Sequence, residues 1–148
     1  MKTYDPIDIP NLAWIGCKVV NALALWAALV FGMPLLILIP LVTHCISALF
    51  GPRNAPLLVI LRCIDRLLPK KVRTKNVVVD SHALRFAHTI SAVFSAISLA
   101  LIYASLAPFG WAIVFGLAVF TTLGAFGICT ATKLYDCAVH GTCCVRKK

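Results

Sequence analysis

The sequence predicts an all-α integral membrane protein: four transmembrane helices arranged as two hairpins, with a cytosolic amphipathic helix between them. Three observations predict it. Residues 19–52 and 86–132 carry no Asp, Glu, Lys or Arg, and each run exceeds the ~20 apolar residues of one crossing and suits two. Pro and Gly interrupt both runs near their middles, at Gly32-Met33-Pro34 and Ala107-Pro108-Phe109-Gly110. The basic residues stand outside the runs: Arg53 to Arg85 around the centre of the chain, Lys133 and Arg146 to Lys148 at its end, and Lys2 and Lys18 at its start. Since Lys and Arg mark the cytoplasmic side, both termini and the central segment are expected in the cytosol and both short turns outside. Composition agrees: 61% hydrophobic, 13% charged and a mean hydropathy of +0.94, against about 25% charged residues in soluble domains. The net charge of +9 follows this placement, so it marks a membrane face and not a nucleic-acid partner.

The elements follow in order within a single membrane domain, residues 1–148. Residues 1–11 read as a polar cytosolic lead. With Asp5, Pro6, Asp8 and Pro10 the start lacks the pattern of a cleaved signal. Helix one is expected over 12–31, with Trp14 at the interface, Lys18 reaching out to headgroups and Asn21 as an interhelical hydrogen-bond partner. Helix two, 35–50, spans only ~24 Å, and Pro40 predicts a kink or a thinned path. After Gly51-Pro52, residues 56–68 place Leu57, Ile60, Leu61, Ile64 and Leu68 on one face, away from Arg62, Asp65 and Arg66. That amphipathic helix is expected on the inner leaflet. A basic loop follows over 69–82, in which Val77-Val78-Val79 either pair locally or lie against headgroups. Helix three is expected over 83–106, where Ala92, Ala96, Ala100 and Ala104 recur every fourth residue, a spacing that lets another helix approach closely. Helix four is expected over 111–135, and residues 136–148 form a Cys/His tail.

The chemistry-bearing side chains gather at one depth. All seven cysteines, Cys17, Cys45, Cys63, Cys129, Cys137, Cys143 and Cys144, and the four histidines fall on the cytosolic side of this topology. Thiols there stay reduced, so no disulfide framework is expected. Free cysteine also serves as a small apolar packing residue. Cys137, His140, Cys143 and Cys144 bring the ligand types that Zn²⁺ and Cu(I) prefer within eight residues. The same residues also fit a basic tail with incidental cysteines. Cys129 and Lys133 would share a face of an extended helix four, where the ammonium raises the thiolate fraction; Lys133 alternatively marks the inner boundary and pairs with Asp136. His44 and His88, near the inner ends of helices two and three, are candidates for an intramembrane polar pair.

Phe50-Gly51-Pro52-Arg53-Asn54-Ala55-Pro56, then Arg85-Phe86-Ala87, then Gly127-Ile128-Cys129 followed by Lys133-Leu134-Tyr135 together resemble the bacterial membrane proteins grouped as domain of unknown function 4395. The resemblance implies a multi-helix protein of the bacterial inner membrane. It also implies a last helix ending in Cys-x-x-Cys before the Lys-x-Tyr, and an association with thioredoxin- or rhodanese-type proteins. Here Cys129 matches the first cysteine and Thr132 replaces the second, which removes a dithiol switch at that pair.

No hydrolytic triad, phosphate-binding glycine loop or paired carboxylate is present, and five acidic residues give little for general acid–base work. The sequence therefore favours a non-enzymatic accessory or structural subunit. Its partners would be membrane lipids and other membrane-protein subunits or copies of itself. The alternatives are a thiol-based carrier or sensor of a soft metal ion (Zn or Cu) or sulfur species, and a redox partner of a thioredoxin-like protein.

Overall fold

The computed structural model describes residues 5–69 and 76–126. The chain is mostly helical, with one small sheet. Strand β1 (Pro6–Pro10) pairs antiparallel with β2 (Asn76–Asp80), from Pro6 opposite Asp80 to Pro10 opposite Asn76. Ile7 and Ile9 turn inward and Asp8 outward, the two-residue alternation of a half-buried strand. The prolines sit at the strand ends, where a missing N–H is tolerated. Ser81 N extends the ladder by donating to Asp5 O at 2.9 Å. The segment expected as a polar lead thus contains a strand, and the loop expected over 69–82 contains its partner.

Helix α1 (Asn11–Phe31) leaves β1 directly and ends at Gly32, whose φ of 62° suits a residue without Cβ. The expected helix two is two pieces: a 3-10 turn over Pro34–Ile37 and helix α2 (Leu38–Phe50). Pro40 explains the division. Its ring would strike the carbonyl four residues back in a continuous α-helix, whereas it lies in the first turn of α2, where a missing N–H costs nothing. Helix α3 (Pro56–Leu67) follows. Helix α4 (Ser81–Tyr103) is capped by the Asp80 carboxylate, which accepts from His82 N at 3.0 Å. Helix α5 (Ala107–Ala125) has Pro in its opening turn, a position that needs no N–H donor. Helices α1, α4 and α5 are long and apolar enough to cross a membrane, and Pro34–Phe50 is a shorter apolar helical segment.

The packing order differs from the chain order. Helix α1 packs chiefly on α5, α5 on α4 and α4 on α2, while α1 and α2 touch little. Of the expected helix two, the opening 3-10 turn meets α1, with Ile37 buried in one cluster with Leu25 and Ala28, and the α2 part packs on α4. Trp26 fixes the α1–α5 contact: its Nε1 donates to Thr122 Oγ1 at 3.0 Å, and its ring meets Phe115 edge-on at 5.8 Å. The α4–α5 turn is pinched at Gly110, where an added Cβ would lie 2.6 Å from Ile102 Cγ1 and 2.7 Å from Ser98 O.

Helix α3 also turns differently than its periodicity suggests. Leu58 and Asp65 are buried and Leu61 meets Gly16 of α1, while Arg62 donates to Asp8 O at 3.1 Å. Ile60, Ile64 and Leu67 remain exposed. One flank of the apolar arc covers α1 and the other is left outward. Two apolar clusters result. Ile7, Ile9, Ala13, Ala55, Leu58 and Leu84 lie at the sheet end; Leu25, Ala28, Ile37, Val114 and Ala118 lie farther along the helices.

Candidate functional site

Between the two clusters lies a polar layer. Along α1 the order is Ala13 in the first cluster, then Cys17, Lys18 and Asn21, then Leu25 in the second. Helix α2 contributes Thr43, His44 and Ser47, all buried, and α4 contributes His88. Lys18, His44 and His88 each stand about two turns, or about 10 Å, from the sheet end of their helices.

The structure brings His44 and His88 together, with ring centroids 4.9 Å apart and planes tilted by 55°. His88 Nδ1 shares a hydrogen bond with the Ser47 hydroxyl, so α2 and α4 are joined through their buried faces. His44 Nδ1 has no hydrogen-bond partner among the described residues. Lys18 does not reach outward as its snorkelling position suggested. Its Nζ donates to Gly124 O of α5 at 2.9 Å and stands 3.9 Å from the centroid of the Trp14 ring, a cation held by a carbonyl and a π face. Asn21 bonds within its own helix: its Nδ2 donates to Cys17 Sγ at 3.7 Å. Its Oδ1 is buried with no partner among the described residues, so the interhelical bond expected of it is not formed there.

The layer opens sideways. Below the pinch at Gly110, α4 and α5 leave a cleft of about 510 Å³, walled by Ala87, Ile90, Ser91 and Phe94 on one side and by Ile113, Gly116, Leu117, Phe120 and Thr121 on the other. Trp14, Lys18, His44 and His88 close its back. A void of about 40 Å³ lies behind it, lined by Cys17, Lys18, Asn21, His44 and His88 among others.

The remaining sequence candidates are placed as follows. Cys17 is buried, Cys45 half-buried and Cys63 exposed, all as free thiols. No group of three or more His, Cys, Asp or Glu side chains with metal-holding geometry occurs among the described residues. Cys129, Lys133, Cys137, His140, Cys143 and Cys144 lie outside the described residues. In the alanine series Ala92 is buried, whereas Ala96, Ala100 and Ala104 are exposed; the small side chains that α4 buries are Ala92, Ser95 and Ser98. Sequence reasoning missed Ser47, Thr121 and the inward turn of Lys18. A lysine inside the first apolar helix, with glycines at 116 and 124 to receive it, was the available signal.

Two of the segments that carry the family resemblance meet at the end of α2. Gly51, at φ 91°, turns the chain out of the helix. Asn54 Nδ2 donates to Phe50 O at 2.8 Å, and Arg85 NH2 donates to Ala48 O at 3.0 Å and Leu49 O at 3.4 Å. The last carbonyls of α2, which no helix can satisfy for itself, are thus covered from α4 and from the following turn.

A bundle of apolar helices around a buried polar layer is the architecture of a small membrane-type protein. The chain belongs to the family described as Domain of unknown function (DUF4395), whose family model matches residues 17–140. No curated protein and no solved structure matches it.

Proposed function

We propose that this chain is a four-crossing protein of the bacterial inner membrane that acts as a non-enzymatic accessory subunit, packing against partner membrane helices. The observation that carries the reading is where the polar side chains go. Lys18 to Gly124, Trp26 to Thr122, His88 to Ser47 and Arg85 to Ala48 each join two helices. They serve as fasteners, and Ser47, the hydroxyl beside a histidine, is fully buried and out of reach of a substrate. The outward surface is apolar, with Leu23, Val30, Phe31, Phe115 and Phe120 exposed, far more than a soluble monomer presents. On α4, Ala96 and Ala100 are exposed on a face turned away from the cleft, open to close approach by another helix.

The sheet supports the fourth crossing. Paired strands share one side of a membrane, so the chain between Pro10 and Asn76 crosses an even number of times. If α1 crosses, Pro34–Phe50 returns. Its 3-10 turn rises faster per residue than an α-helix and stretches the segment to about 28 Å, close to a hydrocarbon core of about 30 Å. Arg53, Arg62, Arg66 and Arg85 at the sheet end support placing that end in the cytosol.

The test is native purification in a mild detergent, with mass spectrometry of co-purifying chains and elemental analysis of the same fraction. A stoichiometric larger complex without metal is expected. A lone protein or homo-oligomer carrying zinc, copper or bound sulfur would overturn the reading and move the function to Cys129, Cys137, His140, Cys143 and Cys144.

A further inference from the structure

We infer that α3 is a lipid-facing interfacial helix: its outward arc, Val59, Ile60, Cys63, Ile64 and Leu67, is covered by acyl chains of the bilayer leaflet at the sheet end. The inference rests on the membrane reading proposed above. At 3.6 residues per turn the five fall on one side of α3, opposite Leu58, Leu61 and Asp65, which turn inward. All five are exposed, Leu67 by 84%, and the arc holds no Asp, Glu, Lys or Arg. Helix α3 thus buries one apolar side in the protein and presents a second one outward. Arg62 and Arg66 occupy one edge between the two, and Arg62 NH2 donates to Asp8 O of β1 at 3.1 Å, so that edge is turned to the sheet. Charge confined to one edge, with apolar side chains around the rest, is the pattern of a helix seated at the headgroup–acyl boundary.

The place of α3 in the fold agrees. Leu61 packs on Gly16, where an added Cβ would stand 3.1 Å from Leu61 Cδ1. Gly16 lies about 8 Å along α1 from Asn11, and interfacial helices sink about 5–10 Å into the boundary. On α1 the stripe that α3 covers at Gly16 runs on bare through Val20, Leu23 and Val30, all exposed. Helix α1 is long and apolar enough to cross a membrane, so in the membrane reading hydrocarbon covers that stripe. The bare stripe begins one turn along α1 from the Leu61–Gly16 contact, and Ile64 lies one turn from it along α3, so one medium reaches both. A protein partner fits the arc less well. Five side chains fall short of the about 20–30 residues a side of a standard interface, and one thiol is the arc's only polar side-chain group.

The experiment uses the full chain in vesicles of phosphatidylcholine and phosphatidylglycerol. Irradiation of the unaltered protein with a lipid-soluble aryl diazirine, followed by peptide mass mapping, is expected to place adducts within residues 59–67 as well as within residues 19–31. A spin label on Cys63 gives a second measurement, with Cys17, Cys45, Cys129, Cys137, Cys143 and Cys144 replaced by Ala and the fold checked by circular dichroism. In the same background with Cys63→Ala, Leu23→Cys and Asn76→Cys supply the lipid and water references. The ratio of collision rates with oxygen and with a nickel chelate is expected to match that at Leu23→Cys and to exceed that at Asn76→Cys several-fold. A water-like ratio at Cys63 beside a lipid-like one at Leu23→Cys, or adducts on α1 without any on α3, would overturn the inference and leave the membrane reading standing. A label at Cys63 that is immobile and reached by neither reagent would overturn it in favour of a protein partner or a second copy. Water-like ratios at both positions would overturn the membrane reading together with the inference.

Discussion

Arg85 shows how a single side chain can matter at a distance that sequence does not display. Its guanidinium covers carbonyls of α2 that lie 37 and 36 positions away, and Asn54 covers the next one. Replacing either by Ala is expected to cost about 1 kcal/mol. The double variant is expected to cost less or more than the sum, because both groups serve the same helix end; thermal unfolding in detergent, followed by circular dichroism, measures the cycle. Ser47 carries a larger stake. Ser47→Ala leaves His88 Nδ1 buried without its hydroxyl, and a loss of about 1–3 kcal/mol is expected in the same assay. Neither role was legible beforehand. Phe50-Gly51-Pro52-Arg53-Asn54 was readable as a helix stop, since Gly and Pro announce one locally. The groups that reach it from α4 are set by tertiary packing.

Helices were the legible level. A run without charges has one economical solution in lipid, a helix with all its backbone bonds internal, and the described parts of both runs resolve into apolar helices. Their ends were harder to read. Pro108 and Gly110 look like breakers, yet Pro fits an opening turn and Gly110 is inside α5 because Ser98 and Ile102 leave no room for a Cβ. Gly110→Ala is therefore expected to destabilise the α4–α5 pair by about 1–3 kcal/mol. Gly116→Ala, with open space around it, is expected to be neutral or to stabilise by about 0.5–1 kcal/mol. Comparing the two thermal transitions separates close packing from helix propensity. The layer at the base of the cleft was half legible. Two histidines at matching depths suggested a pair, but Lys18 reads as an interfacial lysine until α5 is placed beside it.

For the whole molecule, the two-stranded sheet decides most and was read least. Ile7 and Ile9 alternate with polar or proline neighbours, a pattern too short to stand out beside Asp and Pro. Its partner, over Asn76–Asp80, was legible only as three valines. A cysteine pair at the facing positions Asp8 and Val78 checks it. Asp8→Cys with Val78→Cys is expected to form an intrachain disulfide on mild oxidation, found by peptide mass mapping and absent from each single variant; facing strand residues stand at a suitable separation. The proposed four-crossing topology, with the sheet end in the cytosol, has its own test. Impermeant thiol reagents are expected to reach a cysteine placed at Met33 or Ser105 from outside the cell, and one placed at Arg53 or Asn76 only after lysis.

The pairing of β1 with β2 also sets a timetable. A ribosome delivers residues in order, so Ile7 and Ile9 are made first and wait without a partner until Asp80 has emerged. In the four-crossing arrangement proposed above, α1 and the helix after it have by then been threaded into the bilayer. The amino-terminal strand is thus a latch closed late, after insertion and before the second half of the chain is complete. Nascent chains arrested short of Asn76 are expected to lose the segment before α1 to a cytosolic protease, and chains arrested well beyond Asp80 to keep it.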